Sequence, residues 1–109
     1  MDFTVDFSEQ EKFYLIKVEG EIDAYHSATF KQKTKEKLTE LSYTKYVIDM
    51  SLVSYIDSAG LGAIVSLLKE SRNLKKELVL VGLQPQVRKI FEMTKLDKIV
   101  KIVDTIEEI

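Results

Sequence analysis

The residues of this chain best placed to do chemistry are an aspartate and a serine side by side, in the run Asp57-Ser58-Ala59-Gly60-Leu61-Gly62. An apolar periodic segment follows directly. Leu61, Ile64, Val65 and Leu68 recur at i, i+3, i+4 and i+7, the spacing of one helix face. Ser58 therefore stands at a helix start, and its position predicts an N-cap, with the hydroxyl satisfying one of the free helical N–H groups. The glycines ask for more. Each glycine in a first turn costs on the order of 1 kcal/mol relative to alanine. Two of them, Gly60 and Gly62, indicate that something approaches the backbone closely there. A phosphoryl group fits, because unpaired N–H groups and the helix dipole favour an anion at that place.

Other chemistries meet obstacles in the same residues. Gly60-Leu61-Gly62 is half of a dinucleotide fingerprint, but its third glycine falls on Val65, and no phosphate-binding loop with a Lys-Ser/Thr pair exists anywhere in the chain. A hydrolase nucleophile at Ser58 on a Gly-x-Ser-x-Gly elbow needs glycine at 56, which is Ile56. Its base would have to be His26, the single histidine, oriented by Asp23 or Asp57, and no spacing supports that triad. Asp23, in Gly20-Glu21-Ile22-Asp23, and Asp57 form a second candidate pair. Each carboxylate can support a loop or a helix terminus. Together they can make an acidic rim that binds Mg²⁺ weakly or meets a basic partner. The residues alone leave these readings open.

Regular elements must position these groups. Phe3, Val5 and Phe7 alternate with polar residues, the period of a half-buried strand. A polar gap and an aromatic, β-branched run over 13–18 complete an antiparallel hairpin. Residues 25–41 carry Phe30, Thr34, Leu38 and Leu41 on one helical face among lysines and glutamates. A buried strand follows over 46–50, then a long loop over 51–62 that feeds the second helix, which runs to about residue 73. Residues 78–81 are four aliphatics in a row, a strand covered on both faces. Pro85, the only proline, suits the first turn of a third helix carrying Val87, Ile90, Phe91 and Thr94. Residues 99–103 read as a last strand and 105–109 as a short terminal helix. Strands alternating with helices imply parallel neighbours. The expected fold is α/β: a single domain over 1–109, with a mixed sheet of about five strands, an N-terminal antiparallel hairpin and three to four helices. In such sheets ligands and partners favour the loops at the carboxyl ends of the strands, where both candidate loops fall.

The 109 residues suffice for one core, and 16 lysines and arginines against 18 acids make a net charge of −2. That balance argues against a nucleic-acid module. There is no cysteine, which excludes disulfides and thiolate chemistry, and one histidine cannot build a zinc site of the His/Cys kind. No apolar run approaches the roughly 20 residues of a membrane helix, and no signal-peptide pattern opens the chain. The expectation is a cytoplasmic protein without a cofactor, a resident metal, or direct membrane or nucleic-acid contact.

Taken together, these stretches resemble the STAS-domain anti-sigma factor antagonists. The resemblance rests on Asp57 to Gly62, preceded by Ile48-Asp49-Met50-Ser51 and Tyr55-Ile56, and on Gly20-Glu21-Ile22-Asp23. Leu80-Val81-Gly82 and the run from Pro85 through Val87-Arg88-Lys89-Ile90-Phe91-Glu92-Met93-Thr94 to Leu96 agree in order and spacing. The resemblance implies a bacterial, non-enzymatic module of transcription regulation. It would bind an anti-sigma factor, itself a serine kinase, and so free a sigma factor. Phosphorylation of Ser58 would switch it off and a serine phosphatase would reset it. Asp23, Asp57, Ser58, Ala59, Gly60 and Gly62 would then contact the partner. A sensory or scaffolding STAS domain, binding a small ligand or a larger complex, is the alternative. Ala59 stands where the family often has a second hydroxyl, so Ser58 is the only acceptor in the motif. Lys95 replaces a common glycine, which implies a different turn after the third helix, and Lys75-Lys76-Glu77 lacks the glycines usual before the fourth strand.

Overall fold

A computed structural model describes residues 2–109. Five strands form one mixed sheet in the order of the chain: β1 (Thr4–Glu9), β2 (Tyr14–Ile22), β3 (Lys45–Ile56), β4 (Glu77–Val81) and β5 (Lys101–Val103). β1 and β2 are the antiparallel hairpin, in register from Thr4 opposite Glu19 to Glu9 opposite Tyr14. β2 through β5 are parallel neighbours. Helices α1 (Ser27–Glu40), α2 (Ser58–Asn73) and α3 (Pro85–Met93) connect them. The expected architecture is present. The two terminal elements are shorter than their apolar spacing suggests. Ile99 closes a 3-10 turn at Leu96–Lys98 instead of opening β5, and the C-terminal helix is a single 3-10 turn, Ile106–Glu108.

The main core packs one sheet face against the helices. Ile16, Val18, Ile48 and Met50 meet Phe30, Leu38, Leu67 and Phe91, all fully or almost fully buried. The other sheet face carries a smaller cluster of Phe13, Val47, Val79 and Val81, with Leu15, Val103 and Ile109 against it. β4 is thus covered on both sides, which is why it reads as an unbroken aliphatic run.

β3 is the element that positions the site, and here sequence and structure differ. Residues 51–56 are not loop; they continue β3 to Ile56. β4 pairs only with Lys45 to Asp49, whereas β2 follows β3 to its end, through register shifts at Lys17/Glu19 and Gly20/Glu21. The edge left open by β4 is closed by side chains: Gln84 Nε2 donates to the Ser51 carbonyl at 2.8 Å and Gln86 Nε2 to the Ser54 carbonyl at 3.1 Å. Such long-range amide bonds leave no periodic trace, so a strand with one partner looks like a loop in sequence.

Two lysines sit in the left-handed backbone region that favours glycine, Lys75 at φ 58° in the stretch before β4 and Lys95 at φ 61° after α3. The turn after α3 therefore keeps a glycine-like conformation despite Lys95. The ends of α2 and α3 demand it: the Lys75 amide returns to the Arg72 carbonyl and the Lys95 amide to the Glu92 carbonyl, both at about the C-cap.

Candidate functional site

Two loops meet at the carboxyl ends of β2 and β3, and Asp57 joins them. Its backbone is extended, at φ −110° and ψ −171°, and it is the N-cap of α2. Oδ1 accepts from the Gly60 amide at 2.9 Å, and Oδ2 accepts from the Ala24 amide, also at 2.9 Å. The Asp57 amide in turn donates to the Ile22 carbonyl at 3.3 Å. The capping role expected of Ser58 thus belongs to Asp57. A carboxylate has two acceptor oxygens, so it can cap its own helix and tie the neighbouring loop at once, which a single hydroxyl cannot.

Ser58 is consequently the first residue inside α2, and it is exposed. Its hydroxyl makes no hydrogen bond with the described residues. It sits where the positive end of the helix dipole tolerates an added anion.

The Gly60 bond is the largest of the causes that hold the Asp57 carboxyl below its ordinary value of 3.8, with the Ala24 and Ala59 amides adding to it and desolvation opposing. The stability this carboxylate contributes is complete above 3.8 and is lost as pH falls through its lower folded value. Thermal melts from about pH 5 to about pH 2 should therefore fall less steeply in Asp57→Asn than in the parent. Parallel curves would remove Asp57 from the acid-sensitive part of the fold.

Asp23 holds the other loop. Its Oδ1 accepts from the Tyr25 amide at 3.1 Å and the His26 amide at 3.0 Å, and His26 Nδ1 lies 2.9 Å away. His26 Nδ1 is also 3.1 Å from the Glu21 carbonyl, and the imidazole stacks on Phe3 with centroids 4.5 Å apart. His26 is therefore engaged by its own loop and by Phe3, the residue before β1. Among the described residues no hydrogen bond joins it to Ser58, so the three residues are not assembled as a nucleophile, base and orienting acid. Asp23 and Asp57 do belong to one network, because Asp57 bonds the amide of the residue next to Asp23. Their oxygens face N–H donors, the arrangement of loop anchors, and no group of three His, Asp or Glu among the described residues is placed to hold a metal.

The two glycines answer to different causes. A Cβ on Gly60 would lie 2.0 Å from the Ile22 carbonyl oxygen and 2.6 Å from Ile56 Cγ1. The close visitor at Gly60 is this chain's own β2. A Cβ on Gly62 would meet nothing within 4 Å. Ala59 is half-buried beside them.

Sequence reasoning passed over Tyr25 and Tyr55. Tyr25 is 87% exposed in the Asp23 loop, and Tyr55, near the end of β3, is 48% exposed. Alternation offered no signal: Val53 and Tyr55 have the same parity in β3, yet Val53 is buried and Tyr55 is not, so only the structure shows which way Tyr55 faces.

The model of the STAS domain family matches residues 4–109. The anti-sigma-B factor antagonist of Listeria monocytogenes is 37% identical over 106 residues, covering 94% of this chain and 90% of that protein. A crystal structure from Thermotoga maritima, assigned to the anti-sigma factor antagonists, superposes with a TM-score of 0.88 at 30% identity, over 95% of this chain and 89% of that one. The Bacillus cell fate determinant SpoIIAA, solved in a phosphorylated form, shares the fold with a TM-score of 0.71 at 20% identity, over 98% and 95% of the two chains. No helix among the described residues is long and apolar enough to cross a membrane. The chain belongs to the STAS-domain family and falls with its anti-sigma factor antagonists.

Proposed function

We propose that this chain docks, unphosphorylated, on an anti-sigma factor that is itself a serine kinase, and that phosphorylation of Ser58 ends the docking. The observation that carries the reading is the uncommitted, exposed hydroxyl of Ser58 beside an aspartate that has taken over the capping. No hydrogen bond among the described residues uses that hydroxyl, so a kinase can modify it without unfolding the helix. Asp23 and Asp57 keep the two loops in register. Ser58, Ala59, Gly60 and Gly62 supply the start of α2 as the docking surface, with Tyr25 at its rim. A serine phosphatase resets the switch. The names of the curated relatives support the antagonist role, and the existence of a phosphorylated form of SpoIIAA, which shares the fold, supports a modification of this kind.

The direct test is incubation with ATP and each anti-sigma-type serine kinase of the source genome, followed by mass-spectrometric mapping. Phosphate should appear on Ser58 alone. Modification elsewhere, with Ser58 untouched, would overturn the assignment.

Gly62 offers a second check. It lies inside α2 with open space where a Cβ would stand. Gly62→Ala should stabilise the free protein by up to about 1 kcal/mol, since alanine is the better helix former. Affinity for the kinase should fall about tenfold, because a partner seated on the bare backbone is pushed away by the methyl group. A variant that melts higher yet binds like the parent would take Gly62 out of the interface.

A further inference from the structure

A groove of about 470 Å³ opens at the far end of α2 from Ser58, between the end of that helix and the starts of β4 and β5. Four cations line it, Arg72, Lys75, Lys76 and Lys101, against one acid, Glu77. The Glu77 carboxylate already has a partner in Lys45 Nζ at 3.5 Å. The rest of the chain is acidic enough to bring the net charge to −2. Within the groove itself, cations outnumber acids four to one, and a concave wall of one sign raises the local concentration of counter-ions.

Helix capping accounts for two of the four cations. Arg72 donates to the Ile99 carbonyl, and the Lys76 ammonium donates to the carbonyls of Leu38 and Leu41 at the end of α1. Those bonds also fix the two groups in position before any ligand arrives. Capping does not account for Lys75 or Lys101. Both are exposed, and neither side chain bonds the described residues. Lys75 also occupies a left-handed backbone position, φ 58°, where glycine is the unstrained residue. The fold tolerates that strain and gains an ammonium group at the groove's rim. Ile99, 44% exposed, adds an apolar wall beside the charges.

We propose that this groove is a binding site for a small phosphate-bearing molecule, separate from the Ser58 surface and independent of its role. Several cations converging on one cavity match the multiple oxygens of a phosphate chain. The apolar wall suits a nucleoside attached to it.

The test is an amide NMR titration of the full chain with ATP and, in a second arm, with tripolyphosphate. Saturating shifts should appear at residues 71–78 and 99–101, with the Ser58 end unmoved. Tighter binding of ATP would identify a nucleotide ligand, and equal binding a phosphate chain alone; both support the site. Lys75→Gly should raise Tm by about 4 °C by relieving the backbone, yet weaken binding at least tenfold. Lys101→Gln should weaken it similarly without a change in Tm. Lys95→Gly relieves the same kind of strain outside the groove, so it should raise Tm and leave affinity unchanged. The proposal is overturned if neither anion gives saturating shifts, if shifts spread over all surface lysines, or if Lys75→Gly binds as tightly as the parent.

Discussion

Phosphorylation of Ser58 should weaken binding to the proposed kinase partner about a hundredfold, a penalty of about 3 kcal/mol. Ser58→Asp should reproduce at least a tenfold part of it, and Ser58→Ala should bind within about threefold of the parent. The asymmetry follows from charge. A phosphate adds about −1.5 to −2, beside Asp57 and close to the Asp23 loop. It must then be desolvated, among like charges, if a partner covers it. Alanine removes only a hydroxyl that makes no bond within the described residues. The fold should be indifferent to all three changes, because Asp57, not Ser58, caps α2, and the helix N-terminus favours an added anion. Calorimetric titration of the purified partner reads the affinities, and far-ultraviolet circular dichroism reads the helix. Equal affinity for the phosphorylated, aspartate and parent forms would sink the idea of an interface block. A loss of helix content on phosphorylation would replace it with an unfolding switch.

Gly60→Ala should cost at least about 3 kcal/mol of stability, visible in urea unfolding as a midpoint shift with an unchanged slope. A Cβ 2.0 Å from the Ile22 carbonyl cannot be accommodated by turning a side chain, because the obstacle is backbone. Either α2 moves away from β2 or the loop after Ile22 is displaced. Both routes strain the bonds from Asp57 to Ile22 and to Ala24, so the damage reaches the docking surface as well as the core. Gly62→Ala, two residues further along the same helix, is expected to shift stability the opposite way, which makes the pair a control for helix propensity. A loss at Gly60 below about 1 kcal/mol would mean that helix and loop slide past each other easily, and that the site is softer than its hydrogen bonds indicate.

The crowding at Gly60 also shows where sequence reading stops. Two glycines near a helix start announced a close approach, and that inference holds at Gly60. The visitor is the carbonyl of Ile22, 38 residues earlier in the chain, and only the packing of α2 on β2 reveals it. Gly62 carries the same letter and has no such neighbour. The assignment of the cap likewise needed three dimensions. Aspartate and serine are equally good N-caps by type, and adjacent positions differ by one residue, within the ordinary uncertainty of a helix boundary. What decides between them is the second oxygen of Asp57 and the Ala24 amide waiting across the cleft.

Periodicity and residue type did determine a good deal by themselves. Alternation in β1, the aliphatic run of β4 and the i, i+3, i+4, i+7 spacing of α2 are local signals of burial, and burial is set by which face each residue turns to the core. They suffice for an α/β domain with an N-terminal hairpin, and they put Asp23 and Ser58 at the carboxyl ends of neighbouring strands. The tertiary structure alone decided that residues 51–56 stay in the sheet, that Asp57 links the two loops, and that Lys75 and Lys95 keep glycine-like turns. In each case one partner is a backbone group, an amide or carbonyl of a distant element for residues 51–56 and Asp57 and of the helix's own end for Lys75 and Lys95, and backbone groups are the same in every residue type and so leave no mark in the order of side chains.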